Sequence, residues 1–277
     1  MPHIAEINRA YPGCILFLLD QSGSMNEVLS LPGEPPVTKA QGVADAINRL
    51  ISELSIQSTK GSSVYDHFHL GVITYGGEQA GHPAGFQGLR ALSEVANSPL
   101  RVDSRTQEAL DGAGGIIRKE VVFPIWFEPR AQGGTPMCDA LRQARTVLDA
   151  WCASHPESFP PIVINITDGE ATDGDPLQPL LDLQACSTQD GPVLTFNAFM
   201  ANGQSRATAY PVSSDHMPPG PLRSLVDGSS VLPEAMRRRA ASQHEMRIQE
   251  GARGVVIQAS LIDVIRLLDI GTRPQVA

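Results

Sequence analysis

The sequence predicts an α/β protein: a doubly wound, mostly parallel open sheet with helices on both faces and one antiparallel edge strand. Three observations point there. Apolar runs of strand length stand at 14–19, where the run is continuous, and at 161–166, as expected of strands covered on both faces. Amphipathic helical stripes fall between such runs, which parallel neighbours need, because a tight turn cannot close a parallel pair. Both runs also end close to an acidic residue, Asp20 and Asp168, and ligand chemistry in open α/β sheets collects at the carboxyl ends of strands.

Taken in order, residues 14–19 read as the first, central strand. A Gly/Pro loop over 31–37 leads into a helix over 39–54, where Val43, Ala46, Ile47, Leu50, Ile51 and Leu54 share a stripe and Thr38 stands at the capping position. Residues 67–75 make a second strand, closed by Gly76 and Gly77. The stretch 78–130 is the least regular, with turn signals at 81–88 and 112–115. Its strand-like run, 121–127, contains Pro124, which has no ladder donor and so marks an edge. A helix over 137–153 carries Leu141, Ala144, Val147, Leu148 and Trp151 on one stripe, followed by a buried strand over 161–167, a helix over 177–185 and a strand over 193–200. Residues 210–221 form a Pro/Ser-rich loop, and helices follow near 221–226, 232–250 and 261–268. The 277 residues suit a single domain over 1–277, with a core of about 12–200 plus 252–272 and embellishments at about 78–130 and 201–251.

Composition narrows the function. Apolar residues make up 42% and charged residues 18%, enough for a sizeable core and far from the regime of disorder. A formal net charge of -9 argues against a duplex nucleic-acid surface, which needs clustered Lys and Arg. The basic run Arg237-Arg238-Arg239 reads first as a solvated helix face beside Glu234 and Glu245, and second as a docking patch for an acidic partner. The first residues lack a basic n-region, and the run 14–19 is too short for a signal segment or a membrane span. The expectation is a cytoplasmic protein with no membrane partner. Cys14, Cys138, Cys152 and Cys186 are scattered, without a C-x-x-C pair, and read as buried thiols.

Three loops at the predicted strand rim are rich in oxygen: Asp20-Gln21-Ser22-Gly23-Ser24, Gly133-Gly134-Thr135-Pro136 and Asp168-Gly169-Glu170. Each alone has a plain structural reading, with Asp20 and Ser22 as turn and cap residues and Thr135-Pro136 as a helix cap with Pro in the first turn. Together, in this order and on these elements, they resemble the metal-ion-dependent adhesion site of von Willebrand factor type A (vWA) domains. The resemblance extends over about 12–200 and is weaker beyond. It implies a Rossmann-like vWA fold and one divalent cation, Mg²⁺, with Mn²⁺ or Ca²⁺ left open, held by Asp20, Ser22, Ser24, Thr135 and Asp168. By the family's pattern the two serine hydroxyls bind directly, Thr135 directly or through water, and the two carboxylates mainly through water. The chemistry suits such an ion, because Mg²⁺ prefers octahedral oxygen at about 2.1 Å and keeps several waters. With only two formal negative charges in the set the ion stays electrophilic, so that a partner's carboxylate can complete its shell.

The Gly-Gly-Thr-Pro motif and the closing Leu-Leu-Asp-Ile-Gly-Thr that ends at Thr272 look most like intracellular bacterial vWA proteins of the tellurite-resistance-associated kind, encoded beside kinase and phosphatase components or AAA+ ATPases. That resemblance implies a non-enzymatic adaptor gripping an Asp or Glu of a partner protein from such a system. The alternative is a metal-dependent hydrolase or phosphatase using the same ion to activate water. Against it, the sequence has no nucleophile elbow, P-loop or His-Glu-x-x-His, and Glu170 is the one obvious base near the loops. Glu170, Asp173 and Asp175 lack the EF-hand's glycine and closing Glu and read as solvated or supporting acids. His67 and His69 alternate on one strand with no third ligand nearby and read as a satisfied, half-buried pair. Trp126 and Trp151 read as core aromatics.

Overall fold

Every residue of the first strand, β1 (Gly13–Asp20), is buried. Its side chains alternate between two cores, as a period of two dictates: Ile15, Phe17 and Leu19 enter one, Cys14, Leu16 and Leu18 the other. The computed structural model describes residues 3–29, 36–110, 116–200, 207–243 and 247–272. Further strands are β2 (Phe68–Gly76), β3 (Gln79–Gly81), β4 (Arg90–Ala91), β5 (Arg101–Leu110), β6 (Ile116–Ile125), β7 (Ile162–Thr167), β8 (Leu194–Met200), β9 (Thr208–Ala209) and β10 (Val255–Ala259). The sheet runs β9-β10-β8-β7-β1-β2-β3, with β4 also paired to β2. Its middle strands, from β10 to β2, are all parallel, and antiparallel pieces lie at both margins.

The helices are α1 (Lys39–Gln57), α2 (Leu92–Ala96), α3 (Met137–Ser154), α4 (Leu177–Gln184), α5 (Pro221–Asp227), α6 (Glu234–Gln243) and α7 (Leu261–Thr272). Ile47 and Ile51 of α1 and Leu267 and Leu268 of α7 pack on one face of the sheet. Leu141 and Leu148 of α3, Leu183 of α4 and Leu225 of α5 pack on the other. Each such side chain contributes roughly 1.5–3 kcal/mol by leaving water. Thr38 caps α1 as expected, its hydroxyl accepting the Gln41 N–H at 3.1 Å. Among the described residues no helix is long and apolar enough to cross a membrane.

Several elements differ from the sequence reading. The run 121–127 does not edge the main sheet. Most of it lies in β6, which pairs antiparallel with β5 in a separate ribbon, and Pro124 stands opposite Val102. Strand β5, unread in the sequence, supplies the local partner. In a two-stranded ribbon each strand keeps one free edge, so a missing donor is tolerated. Strand β10 also went unread, because five residues are too few for periodicity to declare and Gln258 interrupts them. The register with β8 shifts there, and Gln258 takes φ 55°, a one-residue bulge. Helix α6 begins at Glu234 and ends at Gln243, shorter than the run 232–250. The turn at 112–115, most of the loop 31–37, and Glu245 lie outside the described residues. Arg238 pairs with Glu234 one turn earlier, both exposed, as on a solvated helix face.

All four cysteines are free and buried, and burial pushes the Cys152 thiol up to about 11 and those of Cys138 and Cys186 to about 12. They are packing residues, protonated and unreactive. Trp126 and Trp151 are buried in the two cores. Asn48 of α1 anchors the end of the ribbon, accepting the N–H groups of Trp126 and Phe127 at 2.8 and 2.9 Å and donating to the Phe127 carbonyl at 2.8 Å.

Of the two histidines, His69 is engaged through its ring, its Nδ1 accepting the Trp151 indole N–H at 2.8 Å. Burial first, then the charge of His155, holds its pKa below the ordinary value against opposing pulls from Asp66 and Glu94. A depressed folded pKa means that the associated stability is complete above the ordinary histidine value of about 6.5 and is lost as pH falls through the lower folded value. Calorimetry should therefore show Tm dropping between about pH 7 and pH 5. The variant His69→Gln, whose amide oxygen can still accept from Trp151, should drop less, and parallel curves would refute the role of His69.

Candidate functional site

Chain order reverses at β1. From it the chain goes first to β2 on one side, and later to β7 on the other, which makes the crevice at the carboxyl ends of β1 and β7 the topological switch point of the sheet. Asp20 ends β1, and Asp168 directly follows β7. The sheet register thus brings together residues 148 positions apart because parallel neighbours end on the same rim.

The loop after β1 turns through a short 3-10 helix, Gly23–Asn26. Asp20 Oδ1 accepts the Ser22 N–H at 2.7 Å, which folds the loop back on its own carboxylate. The hydroxyls of Ser22 and Ser24 lie 3.0 Å apart, and Ser24 donates to Asp168 Oδ1 at 2.6 Å. Four of the five residues expected from the sequence therefore form one hydrogen-bonded cluster. Thr135 joins it by position. A methyl placed on Gly169 would sit 3.4 Å from Thr135 Oγ1 and 3.8 Å from Ser24 Oγ, so both oxygens face the same small space. Thr172 pins Thr135, its Oγ1 accepting the Thr135 N–H at 3.1 Å and its N–H donating to the Thr135 carbonyl at 2.9 Å.

Close backbone approach makes this convergence possible. The Gly23 N–H donates to the Gly133 carbonyl at 3.0 Å, and the Gln132 N–H to the Gln21 carbonyl at 2.7 Å. Gly133 has φ +74°, and a Cβ there would lie 2.4 Å from the Gly77 Cα. Only glycine satisfies both conditions.

Three residues that sequence reasoning passed over complete the cluster. Thr167, fully buried at the end of β7, donates to Asp20 Oδ2 at 2.6 Å. Lys39, first residue of α1 and 1% exposed, donates from Nζ to Asp168 Oδ2 at 2.8 Å and to Glu27 Oε2 at 2.7 Å. Glu27 lies half exposed beyond it. A signal for Lys39 was available: a lysine in the first turn opposes the helix dipole, so something else has to hold it there.

Electrostatically the two carboxylates differ. Asp168 has an ammonium against one oxygen and a hydroxyl against the other. Asp20, 2% exposed, is held by an amide and a hydroxyl and has no cationic partner among the described residues. Burial raises its pKa above the ordinary carboxyl value, hydrogen bonds from Thr167 and Ser22 pull it back, and the charge of Asp168 adds to the rise. A buried anion without a counter-charge, set among hard hydroxyl and carboxylate oxygens, could hold a hard divalent cation. Among the described residues no group of three or more His, Cys, Asp and Glu could do so by itself, so any such ion would need the hydroxyls as well.

The supporting acids have structural duties. Asp173 accepts the N–H groups of Cys138 and Asp139 at 3.0 and 2.8 Å, at the start of α3, and Asp175 accepts that of Leu177 at 3.0 Å, at the start of α4. Glu170 is exposed.

No protein-family model and no curated protein sequence matches the chain. Among solved structures it is similar to the vWF domain of the type V pili tip protein Mfa5 from Porphyromonas gingivalis, at 10% identity and a TM-score of 0.34, with 58% of this chain and 39% of that one covered. It is also similar to an uncharacterized membrane-spanning protein from Vibrio fischeri, at 15% identity and a TM-score of 0.28, covering 70% and 73%. The chain thus spans about two fifths of the length of the pilus-tip chain.

Because Lys39 is the ammonium beside the buried Asp168, its removal leaves a buried anion uncompensated. Lys39→Met should lower the unfolding free energy by about 3 kcal/mol in metal-free urea denaturation, with the m-value unchanged. A change within about 0.5 kcal/mol, the range of surface substitutions, would show that the pair contributes no stability.

Proposed function

We propose that this chain is a divalent-cation-dependent protein-interaction module of the vWA kind, holding Mg²⁺ through Asp20, Ser22, Ser24, Thr135 and Asp168 and gripping an Asp or Glu of a partner protein. What supports this reading is one observation. Three oxygen-rich loops, distant in sequence, meet at the switch point of the sheet around a buried carboxylate, Asp20, that lacks a counter-charge among the described residues.

The chain's own residues prepare the site. Thr167 and the Ser22 N–H fix the two oxygens of Asp20, and Lys39 fixes one oxygen of Asp168. The hydroxyls of Ser22 and Ser24 are already side by side, so little ordering entropy remains to be lost on binding. A bound divalent ion supplies Lewis acidity. Among the buried groups, two carboxylates face one ammonium, so a doubly charged ion leaves the cluster positive and attractive to a carboxylate. In the same reading the site is a grip and not a catalyst, the chain works inside the cell, and its partner belongs to a kinase, phosphatase or AAA+ system.

Titration calorimetry with MgCl₂ or MnCl₂ should give one site that Asp20→Ala abolishes. Absence of heat from either ion at millimolar concentration would sink the reading. Chelation should leave the circular dichroism intact, since both cores form without the ion, and should cost only the linkage contribution, about 2.7 kcal/mol at a hundredfold excess over Kd. A partner captured in Mg²⁺ should be lost both in chelator and with Asp20→Ala. Thr135→Ala should weaken that partner more than it weakens the metal, and equal losses would mean that the hydroxyl plays no part in the grip.

A further inference from the structure

A cavity of about 420 Å³ opens beside the oxygen cluster, on the same rim, between the carboxyl ends of β1 and β2 and the segment that follows the ribbon. It adjoins the cluster directly. Gln21, one of its lining residues, stands between Asp20 and Ser22, and its carbonyl accepts the N–H of Gln132, another lining residue, at 2.7 Å. Its walls are preformed. On one side Asn48 holds the backbone of Trp126 and Phe127, and the Trp126 indole donates to the Val95 carbonyl at 2.7 Å. On the other, the N–H of Ala80 donates to Asp139 at 2.9 Å and Gln143 donates to the Ala80 carbonyl at 3.1 Å.

The chemistry of the lining is one-sided. The side chains of Gln21, Gln79, Gln132 and Arg130 have no hydrogen-bond or ion-pair partner among the described residues, although all four border one concave space. The acidic side chain in the lining, Glu128, is paired with Arg101, which it shares with Asp103. The guanidinium of Arg130 is exposed and has no ion-pair partner among the described residues, and the lining also carries the amide side chains of Gln21, Gln79 and Gln132, which can donate. Such a surface fits oxygen-bearing anions, and a planar guanidinium can take a carboxylate through two parallel hydrogen bonds.

We infer that this cavity is the second half of the gripping surface. It receives the stretch of partner chain flanking the carboxylate that seeks the ion, and Arg130 reads a second acidic side chain on that stretch. The partner element is then an acidic peptide segment with two nearby carboxylates. This rests on the metal-grip reading for its first contact and adds Arg130, with the three glutamines, as specificity-determining residues.

The test uses acetylated, amidated hexapeptides in Mg²⁺ buffer: one with a single Glu among Gly and Ser, and a series with two Glu separated by zero, one or two residues. Binding is followed by NMR shifts of the amide groups. The best two-acid peptide should bind roughly fivefold tighter than the one-acid peptide, as one exposed ion pair allows. Arg130→Gln should erase that advantage without changing the one-acid affinity, Arg130→Lys should restore part of it, and shifts should appear at Gln21, Gln79 and Gln132. Metal-dependent binding with equal affinities for both peptide types, or an advantage that survives Arg130→Gln, would overturn the inference while leaving the metal grip standing. Arg130-dependent binding that persists in chelator and in Asp20→Ala would do the reverse, keeping the anion-binding cavity and removing the metal grip. No binding of any peptide by the metal-loaded protein would overturn both.

Discussion

Two carboxylates that lie almost wholly out of water, at the ends of adjacent parallel strands, set the terms for the rest of this molecule. Burying a charge without a partner is costly, and the charge of Asp168 raises that cost for Asp20. The fold answers for Asp168 with Lys39, drawn to the first turn of α1 against the helix dipole. It answers for Asp20 only with uncharged donors, Thr167 and the Ser22 amide. This asymmetry leaves Asp20 as the buried carboxylate without a counter-charge among the described residues.

The loops around the carboxylates can close on each other because side chains are absent where backbones cross. Gly76, Gly77 and Gly133 form a seam in which the loops after β1 and β2 and before α3 touch through main-chain atoms: a Cβ on Gly76 would lie 2.4 Å from the Gln21 carbonyl oxygen. Gly76 and Gly77 also line the neighbouring cavity, together with Gln21 and Gln132, whose backbone hydrogen bond joins the loop after β1 to the segment before α3.

Beneath the rim runs a buried polar relay that no apolar core needs. The Tyr75 hydroxyl donates to Asn165 at 2.5 Å, Asn165 to Asn197 at 2.9 Å, Asn197 to Ser229 at 2.8 Å, and Ser229 to the Leu225 carbonyl at 2.7 Å. Every member has a partner, the condition under which a buried network orders a core instead of weakening it. Burial, then the nearby charge of Asp20, keeps the Tyr75 phenol well above its ordinary pKa, so it remains a donor. The relay ties the base of the site to β7, β8 and the turn after α5, and fixes where β7 delivers Asp168.

The sequence by itself determined the sheet-and-helix alternation and four of the five oxygen donors that cluster, together with Thr135 facing them. Those features are local: a strand covered on both faces is mostly apolar, and a rim loop announces itself by glycine, serine and aspartate following such a run. Tertiary structure alone decided that Lys39 reaches Asp168, that Thr167 holds Asp20, and that residues 121–125 leave the main sheet for a ribbon with β5. Each is a contact across more than one element, whose partner no spacing rule names. The cavity at Arg130 belongs with these. An arginine in an irregular stretch carries no sign in sequence of whether it will find an acid, and only the packed arrangement, in which Arg101 takes Glu128, leaves Arg130 facing open space.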